Sequence, residues 1–339
     1  MSQTAIVILN WNGLHYLERF LPVLLRKSYY PGAFVVVADN GSTDGSIAWL
    51  KEKHPKVSLI ELGENYGYTG GYNKALAQIE ADYYILLNSD VEVSDGWLAP
   101  LVSGMDANRE IGICMPKIRS HFEKKYFEYA GACGGFIDIF GYPFCRGRIL
   151  SNIETDGNQY DHDREIFWAS GTCMMIRSEL YHSLGGLDER FFAHMEEIDL
   201  CWRAKLAGHK VWIFTGSVIY HVGGGTLPNN SPKKLYLNYR NNLLMMYKNL
   251  PMYRLHITLF VRMALDGLSG LVYLAQGKFR FVESVFKAHI DFYKMVLSTK
   301  RDNTKNRRVT CIYRGSIVLS FFLSLRKLRF IDIEEYISR

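Results

Sequence analysis

The chain has 339 residues, 48% of them hydrophobic and 14% aromatic, with a formal net charge of +6. That length and apolar content suit a substantial buried core and exclude a disordered or low-complexity polymer. Six cysteines without a CxxC pair exclude a disulfide-stapled mini-domain and the common zinc spacings.

Buried free thiols in a reducing cytoplasm are expected instead. Met1 leads almost at once into a strand-like run, so no secretory leader is expected. No uncharged apolar stretch reaches the roughly 18 residues of a spanning helix. The nearest, Leu255 to Ala275, is broken by Arg262 and Asp266.

Ala5 to Leu9 reads as a strand ending in Asn10-Trp11-Asn12-Gly13, followed by leucines at helical spacing. Phe34 to Ala38 is a second strand, ending in Asp39-Asn40-Gly41-Ser42-Thr43-Asp44-Gly45, with Ser42 or Asp44 as N-cap of the next helix. Val57 to Leu62 is a third. A glycine-rich stretch from Asn65 to Asn73 then opens a helix, and Tyr83 to Leu87 is a fourth strand that stops at Asn88-Ser89-Asp90.

Strand and helix thus alternate four times within ninety residues, the pattern of a doubly wound α/β sheet. Right-handed crossovers bring the four polar strand ends to one edge of that sheet, where ligands of open α/β sheets bind. Asn88, Ser89 and Asp90 there suit a hard cation and, through it, phosphate. The glycine stretch is neither G-x-G-x-x-G nor a P-loop, which argues against a dinucleotide dehydrogenase or P-loop enzyme.

Beyond Asp90, strands are expected at Ile111 to Ile118 and at Phe167 to Ile176, separated by an irregular, glycine- and aromatic-rich stretch from Arg119 to Asp163. Glu196, Glu197 and Asp199 then place three carboxylates within four residues of an otherwise apolar segment. On a helix Asp199 and Arg203 pair at the surface, while Glu196 and Glu197 point about 100° apart, so that one of them is available as a general base. His221 ends a further strand and is followed by Gly223-Gly224-Gly225, a loop able to close over a ligand. After Ser231 the chain turns basic and helical. Leu255 to Val296 reads as amphipathic helix interrupted at Phe279-Arg280-Phe281, and basic residues gather around Lys300, Arg301, Lys305, Arg307, Arg308 and Arg314. This tail is expected to favour peripheral contact with an anionic membrane surface.

Taken together, Asn10-Trp11-Asn12, Asp39 to Gly45, Asn65 to Asn73, Asn88-Ser89-Asp90, Leu187 to Phe192, Glu196 to Arg203 and His221 to Gly225 resemble the motif series of family 2 glycosyltransferases of the GT-A fold, in their rhamnosyltransferase-like bacterial branch. The resemblance covers about residues 4–248. It implies a GT-A-type doubly wound, mostly parallel sheet over residues 1–230 as the nucleotide-sugar-binding catalytic domain. Residues 231–339 would form a helical, amphipathic C-terminal extension.

The resemblance also implies roles. Asp39 would bind a pyrimidine base, with Asn10 and Trp11 lining its pocket, and Asn65, Gly70 and Asn73 would border the nucleotide sugar. Asn88, Ser89 and Asp90 occupy the family's DxD position. Asp90 and His221 would hold Mg²⁺ or Mn²⁺, and Glu197 would be the catalytic base, with Glu196 the alternative because the chain has Glu-Glu where the family has Glu-Asp. The implied reaction is inverting transfer of a sugar from a dTDP- or UDP-sugar to a hydroxyl of a cell-surface glycan or lipid-linked saccharide. The setting would be the cytoplasm or the inner face of the cytoplasmic membrane, with no nucleic-acid partner. A nucleotidyltransferase would need a glycine- and arginine-rich loop after the first strand, which Trp11-Asn12-Gly13 does not supply. The remaining alternative is a catalytically silent binding or scaffold protein of the same fold.

Overall fold

A computed structural model describes residues 2–223, 231–299, 301 and 309–338. The first half runs β1 (Thr4–Asn10), α1 (Leu14–Lys27), β2 (Ala33–Asp39), α2 (Ser46–Lys53), β3 (Ser58–Glu61), α3 (Gly67–Leu76), β4 (Tyr83–Leu87), β5 (Val91–Val93), α4 (Leu98–Ala107) and β6 (Ile111–Ser120). The short strands β7 (Gly135–Asp138), β8 (Pro143–Cys145), β9 (Arg148–Ile149), β10 (Asn152–Ile153) and β11 (Arg164–Ile166) follow. Next come β12 (Cys173–Arg177), α5 (Ser178–Ser183), α6 (Glu196–Leu206) and β13 (Lys210–His221). The last part holds α7 (Pro232–Asn249), α8 (Met252–Ala275), α9 (Phe279–Ser298), β14 (Ile312–Tyr313) and α10 (Ile317–Leu323).

The main sheet has the order β11-β13-β6-β12-β4-β1-β2-β3, with β5 beside β13. The four strands expected at the N-terminus are all present and mutually parallel. Their residues are branched or aromatic and, in β1 and β4, almost wholly buried, as a sheet covered on both faces demands. β13 lies parallel to β6, while β12 runs antiparallel between β6 and β4. The carboxyl ends of β1, β2, β4 and β13 therefore share one edge, and they deliver Asn10, Asp39, Asn88 to Asp90, and His221 to it.

The strand expected over Phe167 to Ile176 is confined to Cys173–Arg177. Upstream of it, Trp168 leaves the main sheet, bridges Gly135 and donates its indole N–H to the Phe136 carbonyl at 2.9 Å. That indole belongs to the join with a second, five-stranded sheet of order β10-β9-β8-β7-β14. The irregular stretch after Arg119 supplies four of its strands. The fifth comes from the C-terminal tail, which returns to lay Phe330 against Phe136, ring centroids 4.8 Å apart. Residues 309–338 thus belong structurally with the first half of the chain rather than with the helices before them.

Those helices depart from expectation in one respect. Leu255 to Ala275 is one unbroken helix, α8, and is long and apolar enough by length and composition to cross a membrane. Arg262 and Asp266 do not interrupt it, because residues four apart share one face and both are turned inward. Arg262 bonds Asp266 at 2.8 Å and Asn242 of α7 at 2.5 Å, and its guanidinium lies 3.7 Å from the centroid of the Tyr142 ring. The helical break falls at residues 276–278, where Gly277 takes φ +68°, and Phe279 already begins α9.

All six cysteines are buried and unpaired. Of the basic cluster expected near the C-terminus, Lys300, Lys305, Arg307 and Arg308 lie outside the described residues.

Candidate active site

Asn10 and Asp39 are register partners at the ends of adjacent parallel strands. Asn10 donates to Asp39 at 3.0 Å and to the Ser42 hydroxyl at 3.1 Å, and the Ser42 N–H donates to the other Asp39 oxygen at 2.8 Å. Both side chains are buried, and Asn10 Oδ1 has no hydrogen-bond partner among the described residues. A buried acceptor without a donor is costly unless a ligand fills the role. Trp11, half exposed, sits at the mouth. The β1 loop closes tightly here: a Cβ on Gly13 would meet Asn10 Oδ1 at 2.6 Å and Ser89 Oγ at 3.5 Å.

The capping of α2 differs from expectation. Gly45 is its N-cap, while Asp44 accepts from Ser46 N at 3.1 Å and from Leu14 N at 2.8 Å, tying the first turns of α1 and α2 together. Ser42 is engaged with Asn10 and with Asn12 N.

Asn65 accepts from Asn40 at 3.1 Å and from Gly67 N at 2.8 Å. Gly67 takes φ +70° and a Cβ there would fall 2.8 Å from the Phe192 ring, so only glycine lets this loop lie against the one preceding α6. Gly70 is buried above it. The Asn73 amide is fully engaged. It bonds both the carbonyl and the N–H of Leu187, the Glu189 carboxylate and the Tyr181 hydroxyl, and so braces residues 187–189.

At the end of β4, Asn88 and Ser89 are partly buried and Asp90 is buried, with Asp90 3.1 Å from His221 Nε2. Burial opposes the Asp90 charge, but the His221 hydrogen bond and charge outweigh it and hold the carboxyl below its usual range. Burial alone would lower the His221 ring as well. The Asp90 and Glu128 carboxylates outweigh it and raise the ring to about 10. Glu128, 3.4 Å from His221 Nδ1, comes from the irregular stretch and was not anticipated in sequence. Once a cation displaces the ring proton, the Asp90 carboxylate and the His221 imidazole become a donor pair that suits Mn²⁺ or Mg²⁺. Among the described residues no group of three His, Cys, Asp or Glu is arranged as a complete metal site. A cation held here would therefore take its other ligands from outside the described residues.

The paired glutamates open α6, preceded by three non-glycine residues at positive φ: Phe192, His194 and Met195. Such backbone costs of order 1 kcal/mol per residue and persists only where the surroundings impose it. Among the described residues neither glutamate forms an ion pair, and one carboxylate oxygen of each is buried without a hydrogen-bond partner. Burial, then the charge of Glu197, pushes Glu196 well above the ordinary carboxylate range, while burial raises Glu197 to about 7. Glu196 is the deeper of the two; Glu197 keeps some exposure. Its Cβ lies 3.8 Å from the position a Cβ on Gly171 would take, and the neighbouring Thr172 carbonyl accepts from Asn88 N at 3.0 Å. The Gly171–Thr172 segment so links the end of β4 to Glu197.

Asp199 and Arg203 do pair, at 2.7 Å, but not on the surface. Asp199 is fully buried and also binds Lys248 and Asn249 of α7, each at 2.8 Å. The α7 helix grips the loop before α6 as well. Asn241, fully buried, donates toward the carbonyls of Phe191, Ala193 and His194 at 2.8–3.0 Å, and Arg240 bonds the Arg190 and Phe191 carbonyls. Neither residue had been singled out in sequence, although Arg240-Asn241-Asn242 is a polar run in the middle of α7. The loop after His221 is described only as far as Gly223, so closure by residues 224–225 lies outside the described residues.

The family model for glycosyl transferase family 2 matches residues 5–185. The chain is 28% identical over 237 residues to N-acetylglucosaminyl-diphospho-decaprenol L-rhamnosyltransferase of Mycobacterium tuberculosis, covering 65% of this chain and 76% of that protein. Its fold is similar to that of S. aureus TarS 1–349 in complex with UDP-GlcNAc, with TM-score 0.57 and 15% identity over 87% of this chain and 81% of that one. It is also similar to the mannosyltransferase PcManGT from Pyrobaculum calidifontis in complex with GDP-Man and Mn²⁺, with TM-score 0.54 and 14% identity over 86% and 87%.

Proposed function

The chain belongs to glycosyl transferase family 2, and on that footing we propose that it moves a sugar from a pyrimidine diphosphate donor to a hydroxyl of a glycan or lipid-linked saccharide, with inversion. The observation that carries this reading is the nearness of three elements: the Asn10–Asp39 and Asp90–His221 pairs at one sheet edge, and, linked to that edge through Gly171–Thr172, two glutamates with no cationic partner among the described residues.

In this reading Asp39 and the unpartnered Asn10 Oδ1 take the N–H groups of the base, against Trp11. Asn65 and Gly70 border the sugar, and Asn88 and Ser89 face the ribose and diphosphate. Asn73 acts one step back, through the loop it braces. Asp90 and His221 hold a divalent cation, which when bound supplies positive charge beside the diphosphate. The GT-A-fold neighbours crystallised with nucleotide sugars, one of them also with Mn²⁺, support that assignment.

Glu197 takes the proton of the acceptor hydroxyl as that oxygen attacks the anomeric carbon. The bond from that carbon to the diphosphate oxygen breaks, its electron pair leaves with the diphosphate, and a single in-line displacement inverts the centre. Burial first, and then the charge of Glu197, push the Glu196 carboxyl well above the ordinary range, so Glu197 is the more readily ionised of the two. This favours Glu197 as the base.

The mycobacterial relative is named for rhamnose transfer to a diphospho-decaprenol-linked acceptor, which supports a dTDP-linked deoxysugar donor and a lipid-linked acceptor here. A membrane surface is where such an acceptor would be met. Buried free thiols are compatible with its cytoplasmic side. The test is diphosphate release from a panel of dTDP- and UDP-sugars in the presence of a lipid-linked saccharide. Turnover abolished by Glu197→Gln is expected; no turnover of any donor would reject the proposal.

A further inference from the structure

Four stretches of backbone run side by side at the edge that carries Asp90. His221 of β13 lies opposite Val91 of β5 on one side and opposite Ser120 of β6 on the other. The Val222 N–H donates to the Asp90 carbonyl at 3.1 Å, which fixes the end of β13 to the turn after β4. Beyond β6, the Ser120 N–H donates to the Tyr126 carbonyl at 3.0 Å and the Glu128 N–H to the Ile118 carbonyl at 3.1 Å. The irregular stretch after β6 is thereby laid along the sheet edge, and it delivers a carboxylate to the imidazole.

The ring is held between two acidic side chains, with Asp90 Oδ1 3.1 Å from Nε2 and Glu128 Oε1 3.4 Å from Nδ1. All three residues are 8% exposed or less. The Glu128 carboxylate is tethered, because its other oxygen accepts from the Ala130 N–H. A Cβ on Gly223, which takes φ +74°, would fall 3.1 Å from Glu128 Oε1 and 3.9 Å from His221 Nδ1, crowding the gap between carboxylate and ring. The Nδ1 contact is an ion pair rather than a well-formed hydrogen bond. Arg148 and Lys234 feel the charge of Glu128 from further off, whereas His221 is within ion-pair reach.

We infer that Glu128 is a positioning residue for the divalent cation: it keeps the remaining ring proton on Nδ1 and leaves the Nε2 lone pair for the metal beside Asp90. This rests on the transfer reading, in which Asp90 and His221 hold the cation. A neutral imidazole has one donor and one acceptor nitrogen, and the partner of one decides what the other can do. With Nε2 bonded to a cation, the one ring proton is on Nδ1, and Glu128 is the acceptor it faces. A carboxylate at that position fixes the ring orientation and makes the imidazole a stronger donor to the metal. Facing the other nitrogen, Glu128 acts through the ring and not on the metal itself.

The test is a Mn²⁺ titration of the full chain at a fixed excess of uridine or thymidine diphosphate, read by thermal unfolding. Glu128→Leu removes the acceptor and should raise the Mn²⁺ concentration for half the shift about 10- to 100-fold. Glu128→Gln keeps a neutral acceptor in the same space and should fall between, weakened about threefold or more. At saturating Mn²⁺ both variants should reach the parent's shift, because mass action overcomes a metal-affinity defect but not damage to the nucleotide pocket. The isosteric glutamine variant decides the question alone if the leucine variant does not fold. Unchanged Mn²⁺ affinity in the glutamine variant would overturn the inference and leave Asp90 and His221 as the cation's ligands. Variants that never reach the parent's shift would overturn it too, marking Glu128 as part of the fold alone. A parent without any Mn²⁺ response would remove the metal assignment itself, and this inference with it.

Discussion

The side chain of Asn241, in the middle of α7, donates a 2.8 Å hydrogen bond to the carbonyl of His194, two residues before the first of the paired glutamates. With its contacts to Phe191 and Ala193, it holds a turn whose positive φ angles would otherwise relax. Asn241→Ala should cost about 1–3 kcal/mol in urea unfolding, since buried carbonyls lose their donor. It should also lower kcat at least about tenfold with little change in donor KM, because the base is displaced while the nucleotide pocket is intact. Equal loss in kcat and donor affinity would mean the clamp is not specific to α6.

The pH dependence of turnover follows from the glutamate pair. A general base works only when ionised, and Glu197 ionises at about 7. Below that value kcat should fall about tenfold per pH unit. Above it kcat should level off. An inflection in the ordinary carboxylate range would show that Glu197 is not the group titrating.

Stability should run the other way. The folded pKa values of both glutamates lie above the ordinary 4.5, so the folded state holds protons that the unfolded state has released. Their contribution is undiminished below about pH 4.5 and is lost as pH rises through the folded values. Glu196→Gln should therefore stabilise the protein at pH 8, by about 1–3 kcal/mol for a buried group with a carboxylate oxygen unbonded among the described residues. It should change little at acid pH. Chemical denaturation at the two pH values reads the difference.

Arg262 and Asp266 form a buried pair shared by α7, α8 and α9. Arg262→Ala leaves the carboxylate uncompensated and should cost about 3–5 kcal/mol. Replacing both with Met and Leu should recover much of that loss, which unfolding midpoints of the single and double variants would show.

The parts of this molecule legible in sequence are those with a local cause. β1 to β4 announce themselves as apolar runs, and their Asn, Asp and Gly endings fall together because parallel crossovers align strand ends. Glu128 was out of reach: its place behind His221 depends on a stretch of two- to four-residue strands too short to show a period. The same shortness hid the second sheet and the return of Phe330 to it. In α8 a signal was present and misjudged. Arg262 and Asp266 looked like interruptions of an apolar run, yet their spacing of four is what puts both on the inner face. Asn241 carried no signal that set it apart from the other asparagines of α7, because its partners lie about fifty residues away.

The central claim is that the edge formed by Asn10, Asp39, Asp90 and His221 binds a pyrimidine diphosphate together with a divalent cation. Thermal unfolding with uridine, thymidine, guanosine and cytidine diphosphates, each with and without Mn²⁺, tests it most directly. One pyrimidine diphosphate should stabilise the protein by about 2.7 kcal/mol at roughly a hundredfold excess over Kd, only with metal present and not in Asp90→Ala. The absence of any shift, with every nucleotide and with or without metal, would contradict the account.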